Sequence, residues 1–321
     1  MILKDSVYGT IEINDPVLLE LIKSKPVQRL KGILQAGVLY KVLPWKNFTR
    51  YDHSIGVMLL LNLKGAPLEE QIAGLIHDVP HTAFSHAIDF VYKSKNFDFH
   101  EKFHESMILD SEIPKILEKH GFEVKKILDE KNFSLLEKSL PDLCADRIDY
   151  TLREFVSRDG HSEKIKKYFD SIIVENNQFV FNKKSIALQF SQEFLEMIQS
   201  WGSPLELVIV ETIASVIKEG LEVGIINEKD LFKTDKEVLE KLEKSNNKKI
   251  IDLLSILNPK LRVISDEKNF DYYSKEKVRY IDPLVAPTLK RVSEIYPAYA
   301  RLLEEHKSIM SKGVYAKIVS G

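Results

Sequence analysis

The sequence contains a single cysteine, Cys144, among 321 residues, so no internal disulfide can form. That excludes a disulfide-stapled secreted scaffold and fits a reducing compartment, with the thiol acting as a small core hydrophobe. Charge of one sign is also missing. The 46 basic and 48 acidic residues nearly cancel, leaving a net charge of -2, and nothing global favours a polyanion such as duplex DNA. Long apolar runs are absent: stretches such as Val57–Leu61 fall far short of the roughly 20 residues a membrane span needs. The opening MILKDSVYGT lacks the basic and apolar regions of a signal peptide. The expectation is a cytoplasmic protein with no membrane contact and with nucleic acid an unfavoured partner. What remains, 44% hydrophobic and 29% charged residues, is the composition of a globular chain, neither disordered nor collagen-like. A chain of this length buries roughly three quarters of the surface it exposes when unfolded.

The apolar pattern is mostly helical. Val7 to Ile13 alternates loosely and reads as a short strand, after which Leu18, Leu19, Leu21 and Ile22, then Leu30, Ile33 and Leu34, recur at helical spacing on either side of Pro26. A helix is expected from near His53 to Leu63, stopped by Lys64-Gly65, and another carries Leu68 to Asp78 before Pro80 ends it. Pro141 is expected to open a helix holding Leu143, Ile148, Leu152 and Phe155, with Gly160 at its end. Two β-rich runs, IIVE and QFVF, flank Asn176-Asn177 and predict a hairpin over 172–181. Long helices follow from Ser185 to Gly224, the polar stretch Glu243 to Lys249 marks a candidate boundary, and Lys277 to Pro283 reads as one more strand. The fold class is mainly α with minor β additions.

Histidine is unevenly spread. Six of the nine, His53, His77, His81, His86, His100 and His104, fall within one sixth of the chain. Histidine is the commonest metal ligand and the commonest acid or base near neutral pH. In the central segment, Gly74 to His86, His77 and Asp78 are adjacent at the end of an apolar helix, where side chains about 100° apart around the axis converge on one ion as the helix frays. Upstream His53, in RYDHSIGV, offers another imidazole, and downstream Asp146, in DLCADRIDY, another carboxylate. Two imidazoles and two carboxylates suit Mn, Fe, Ni, Zn or Mg and leave coordination positions open for water. Each residue alone is more often hydrogen-bonded structure than ligand; it is the constellation that points to a metal centre.

The strings that carry this constellation are VQRLKGILQAG (27–37), RYDHSIGV (50–57), HDVPHTAFSH (77–86) and DRIDYTLRE (146–154). In that order they resemble the HD-domain phosphohydrolases and, within them, are similar to the deoxynucleotide triphosphohydrolase branch that includes the SAM- and HD-domain enzyme. The resemblance implies an HD-domain helical core over 1–220, including the hairpin, and a mostly helical appendage over 221–321. It implies His53, His77, Asp78 and Asp146 as metal ligands, Arg50, His81 and His86 facing phosphate, and Arg147 where a lysine is common. It implies Gln35 and Tyr150 framing a sugar, and His100 rather than His104 as the active-site histidine before a helix. The catalytic candidates are then His81, His100 and Arg50, and the substrate-binding candidates Gln35, Arg50, His86, Arg147, Tyr150 and Glu154. A homo-oligomer is the common assembly of such relatives.

Three positions depart from the triphosphohydrolase pattern. Glu154 stands where an aspartate often meets the sugar 3'-hydroxyl, Cys144 where an acidic residue is often found, and SWGSP (200–204) near where relatives carry a Tyr, His and Lys cluster for the phosphate tail. A missing lysine removes a counter-charge for a triphosphate. The leading expectation is a metal-dependent phosphohydrolase converting dNTPs to deoxynucleoside and triphosphate. The alternatives are hydrolysis of a nucleoside monophosphate or a phosphodiester, nuclease activity included, and a nucleotide-sensing regulator that cleaves nothing.

Overall fold

A computed structural model describes residues 1–92, 100–161, 163–275 and 277–319. The chain opens with an antiparallel hairpin of β1 (Ile2–Asp5) and β2 (Gly9–Glu12), so the single strand expected over 7–13 is the second half of a pair. Asp5 Oδ1 closes its turn by accepting from the Val7 and Tyr8 amides, and Gly9 takes the left-handed conformation that ends it. Helices α1 (Pro16–Lys23) and α2 (Lys25–Arg29) follow. The helical spacing of Leu30, Ile33 and Leu34 does not continue as helix. Ile33 is extended and Leu34 bridges Thr49, its amide donating to Asp235, and Gly32 lies so close to Thr234 that a β-carbon there would fall on the threonine side chain.

The centre is built on α3 (Arg50–Leu63) and α4 (Leu68–Ile76). A capping box between Thr49 and Asp52 fixes where α3 starts. The helix is buried on almost every side from His53 to Leu61, and a β-carbon at Gly74 of α4 would press on Leu61, so the two helices approach closely. After α5 (Ala87–Val91), α6 (His104–Leu109), α7 (Ile113–Lys119) and α8 (Val124–Leu128), the chain enters α9 (Ala145–Asp159), ended by Gly160 at φ 79° as expected. It begins at Ala145 and not at Pro141. The amides of Ala145 and Asp146 donate to the Leu135 and Leu136 carbonyls, which fixes the first turn by tertiary pairing.

Helix α10 (Glu163–Ser171) leads into the expected hairpin, β3 (Ile172–Glu175) and β4 (Gln178–Phe181), with Asn176 and Asn177 both at positive φ. The long helical stretch is two helices, α11 (Lys184–Trp201) and α12 (Pro204–Glu222), the second capped by Ser203. Helices α13 (Asp235–Glu243) and α14 (Lys248–Ile256) flank the polar stretch. Then come β5 (Val263–Ile264), β6 (Tyr272–Ser274), β7 (Leu284–Val285), β8 (Lys290–Arg291), α15 (Val292–Ile295), α16 (Pro297–Ser311) and β9 (Val314–Ile318). Lys277 to Pro283 is not a strand: its backbone is satisfied piecemeal. His306 meets the Arg279 carbonyl, Tyr299 donates to the Ile281 carbonyl, and the Asp282 amide donates to Pro141. Pairing starts only at β7, which lies parallel to β4.

Two apolar clusters form. One gathers α1, α3, α4, α9 and α11; the other surrounds α12 with α14, β9 and the turn holding Ala83 and Phe84. The chain passes from the first to the second between Val79 and Ala83, just after the His77-Asp78 pair. No single helix among the described residues is long and apolar enough to cross a membrane.

Candidate metal centre and anion pocket

Three helix ends supply the centre. The first turn of α3 places Arg50 and His53 three residues apart on one face, the end of α4 delivers His77 and Asp78, and the first turn of α9 delivers Asp146. His53 is fully buried, so both its ring nitrogens need partners. Its Nδ1 lies 2.7 Å from Asp149 Oδ2 and its Nε2 2.8 Å from Asp146 Oδ1. Asp149 is held in turn by Arg153 at 2.9 and 3.0 Å, and Arg153 reaches Asp5 in the first hairpin at 3.0 Å. Only glycine fits at position 56, since a β-carbon would land on the Arg153 guanidinium and the Asp149 carboxylate.

His77 Nδ1 is 2.7 Å from the Gly74 carbonyl, which turns Nε2 toward the carboxylates. That Nε2 is buried and has no hydrogen-bond partner among the described residues; Asp78 Oδ1 is 3.5 Å away and Asp146 Oδ1 3.7 Å. Burial alone would lower the His77 pKa, but the two carboxylates outweigh it and hold it at about 9. The pair of acids calls for positive charge at Nε2, which a proton or a cation supplies. Ligand atoms of His53, His77 and Asp146 all lie within 4.8 Å of one another. Two imidazole nitrogens, one of them buried and without a hydrogen-bond partner among the described residues, and a carboxylate oxygen fit a divalent transition metal.

Asp78 sits beside this triad with its oxygens already engaged. Arg50 Nη1 donates to both, at 3.1 and 3.0 Å, and His81 Nε2 is 3.2 Å from Oδ1. Burial pushes its carboxyl up, while Arg50, His77 and His81 together hold it well below the usual carboxylate range. Arg50 is 3% exposed; its Nε donates to Ser85 Oγ at 3.0 Å, and its Nη2 is buried with no partner among the described residues. His81 and His86 pack edge to face at 5.3 Å, and His86 Nδ1 is 3.0 Å from Asp89. The turn between them places Phe84 and Ser85 at positive φ, a conformation non-glycine residues rarely hold without outside support. Gln35 presents a buried amide oxygen, also without a partner among the described residues.

The remaining expected residues divide. Tyr150 lies one turn along α9 from Asp146, 6.5 Å from the His53 ring and 5.5 Å from Trp201. Glu154, a further turn on, accepts from Lys46 Nζ at 3.0 Å and Trp201 Nε1 at 2.8 Å, and Lys46 also pairs with Glu206 at 3.0 Å. Arg147 donates to the Asp142 and Lys138 carbonyls and to Cys144 Sγ at 3.2 Å, fastening the loop before α9, while its buried Nε has no partner among the described residues. Cys144 is fully buried, and burial pushes its thiol up, so it is the inert core residue expected. The His100 side chain lies outside the described residues, and His104 starts α6.

The sequence reading passed over Asp149, Ser85, Asp235 and Lys46. Asp149 had a signal: a histidine that binds metal through one nitrogen needs a carboxylate or carbonyl on the other, and Asp149 follows Asp146 by one turn. Lys46 and Asp235 act across more than a hundred residues of sequence and leave no local pattern.

A family model described as the HD domain matches residues 50–154, the span from Arg50 to Glu154. The chain is 42% identical over 325 aligned residues to the uncharacterized protein YdhJ of Bacillus subtilis, covering 99% of both. It is 31% identical to the metal-dependent phosphohydrolase cns2 of Cordyceps militaris, over 89% of this chain and 85% of that one. A shorter match, 36% identical over 30% of this chain and 18% of the relative, links it to the deoxynucleoside triphosphate triphosphohydrolase SAMHD1 of Danio rerio. With the ligand triad, the arginine beside it and likeness along nearly its whole length, the chain belongs to the HD-domain metal-dependent phosphohydrolases.

Proposed function

We propose that the protein hydrolyses nucleotides, with dNTPs as first substrates and deoxynucleoside plus triphosphate as products. The observation that carries this reading is the His53, His77 and Asp146 cluster beside Arg50, whose buried Nη2 has no partner among the described residues. His53, His77, Asp78 and Asp146 would hold a divalent ion, with Mn, Fe, Ni, Zn and Mg as candidates, which would supply Lewis acidity at a phosphoryl oxygen and lower the pKa of water so that hydroxide is available to attack phosphorus. Asp149 orients His53, and the Gly74 carbonyl orients His77. Arg50 donates from Nη2 to a phosphoryl oxygen while Asp78 and Ser85 hold its other nitrogens. His81, fixed through Nε2 on Asp78 and packed on His86, serves proton transfer to the leaving oxygen, and Gln35 and Tyr150 frame the organic part of the substrate. The short likeness to a dNTP triphosphohydrolase of Danio rerio supports the choice of substrate.

One observation favours a second reading, hydrolysis of a less charged nucleotide or another phosphate ester. Glu154 Oε1 is engaged by both Lys46 and Trp201, which leaves only Oε2 for a sugar hydroxyl. Incubating the metal-loaded protein with nucleoside mono-, di- and triphosphates tests both. Inorganic triphosphate released from dNTPs establishes the first reading, orthophosphate from monophosphates the second, and no turnover of any nucleotide or of p-nitrophenyl phosphate esters with the ion bound overturns both.

A further inference from the structure

Behind Arg50, two pieces of chain far apart in sequence, residues 29–34 and 79–84, are tied together by the segment Leu231 to Asp235. The Ala83 amide donates to the Leu231 carbonyl at 2.8 Å. Arg29 Nη1 donates to the Phe232 carbonyl at 3.2 Å, while its Nη2 donates to the Val79 and His81 carbonyls at 2.5 and 2.9 Å. Asp235, 8% exposed, accepts from two loops at once: Oδ2 from the Leu34 amide at 2.9 Å, Oδ1 from the Phe84 amide at 2.7 Å. Thr234 closes against Gly32, where no side chain has room.

These bonds converge on one turn. Phe84 and Ser85 both sit at positive φ, and the amides of Ala83 and Phe84, just before and within the strained pair, are the ones this segment holds. Ser85 Oγ then donates to the Leu34 carbonyl at 2.7 Å and accepts from Arg50 Nε at 3.0 Å. A continuous path runs from Asp235 through the Leu34 and Phe84 backbone to Ser85, and from Ser85 to the guanidinium that faces Asp78.

We propose that Asp235 is a positioning residue for the anion pocket: by bracketing the Leu34 and Phe84 amides it fixes Ser85, and Ser85 fixes the direction in which Arg50 presents Nη2. It contributes no atom to the pocket itself. The role rests on the reading of Arg50 as the phosphate-oxygen donor. Asparagine cannot replace it, because the amide has one acceptor oxygen where the bracket uses two.

The test is a titration of the metal-loaded full chain with inorganic phosphate. In Asp235→Asn the phosphate affinity is expected to fall about tenfold or more, the size of a misaligned charge-assisted bond, with metal affinity kept within about twofold. Combining Asp235→Asn with Ser85→Ala is expected to cost no more than the worse single change, since both break one path. Should Asp235→Asn fail to fold, Ser85→Ala alone carries the test, because it severs Arg50 from the bracket and leaves both Asp235 bonds intact. Phosphate affinity unchanged in these variants, additive losses in the double variant, or a wild-type protein that binds no phosphate overturns the proposal. Phosphate binding by wild type without hydrolysis of any ester defeats the proposed reaction and leaves this role standing.

Discussion

Asp149 Oδ2 sits 2.7 Å from His53 Nδ1, on the side of the ring opposite Asp146. A carboxylate behind a metal-binding imidazole fixes its tautomer and orientation and raises its basicity. Here the support continues through Arg153 to Asp5, so a hairpin at the start of the chain braces a ligand on α3.

Asp149→Asn keeps the shape and loses the charge behind His53. Metal affinity is expected to fall about 10- to 100-fold, the usual cost of losing such a partner, as read by competition with a chelating dye. Asp89→Asn, which touches His86 and not a triad member, serves as the control and is expected to leave metal affinity unchanged.

At Gly56, α3 lies directly against the Arg153 and Asp149 side chains of α9. Gly56→Ala forces its methyl onto Arg153 and Asp149, and an overpacked interior of this kind costs about 1–3 kcal/mol. Urea denaturation is expected to show that loss, and metal affinity is expected to drop with it because the same contact orients His53. Stability equal to wild type contradicts the account.

The fall of stability with pH seen without metal should level off when metal is bound. In the metal-free protein His77 is held at about 9 by Asp78 and Asp146 against the effect of burial, and His53 is raised by Asp146 and Asp149 against the same effect. A histidine raised in the folded state stabilises fully below its unfolded pKa, about 6.5, and that contribution is lost as pH climbs through the folded value. The melting temperature of chelator-treated protein is therefore expected to fall between pH 6.5 and about 9. With metal present the ion and the protons compete, so affinity rises with pH over the same window, by up to about tenfold per unit for each proton displaced. Melting curves with and without metal at three or four pH values decide it; parallel profiles contradict it.

Lys46 is 2% exposed between Glu154 and Glu206. Lys46→Met leaves two buried carboxylates without their shared cation, and breaking a buried pair in this way costs about 3–5 kcal/mol. Chemical denaturation is expected to show that loss, smaller at acid pH where the carboxylates take up protons. A change below about 1 kcal/mol, the range of an exposed pair, argues against the network.

Much of the helical framework was legible because its signals are local: the apolar period of α3 and α4, Gly160 at the end of α9, and Asn176-Asn177 at the hairpin. The boundaries that were misplaced answer to distant partners. The helix expected around Leu30 to Leu34 breaks where Thr234 and Asp235 arrive from two hundred residues away, and α9 starts where the Leu135 and Leu136 carbonyls meet it. In the site, the ligand atoms of His53, His77 and Asp146 lie close together and Asp78 Oδ1 is 3.5 Å from His77 Nε2, while Asp78 also bonds to Arg50 and His81, and Arg147 and Glu154 have protein partners of their own. A sequence shows which residue types are present; which of them already have partners depends on packing.

The most direct measurement is calorimetric titration of chelator-treated protein with Mn, Ni, Zn and Mg in turn, on wild type and His77→Ala side by side. The expected result is one ion per chain for at least one of these metals in wild type, and its loss in the variant. No binding of any of them to wild type, or undiminished binding when His77 is gone, contradicts the triad and the chemistry built on it.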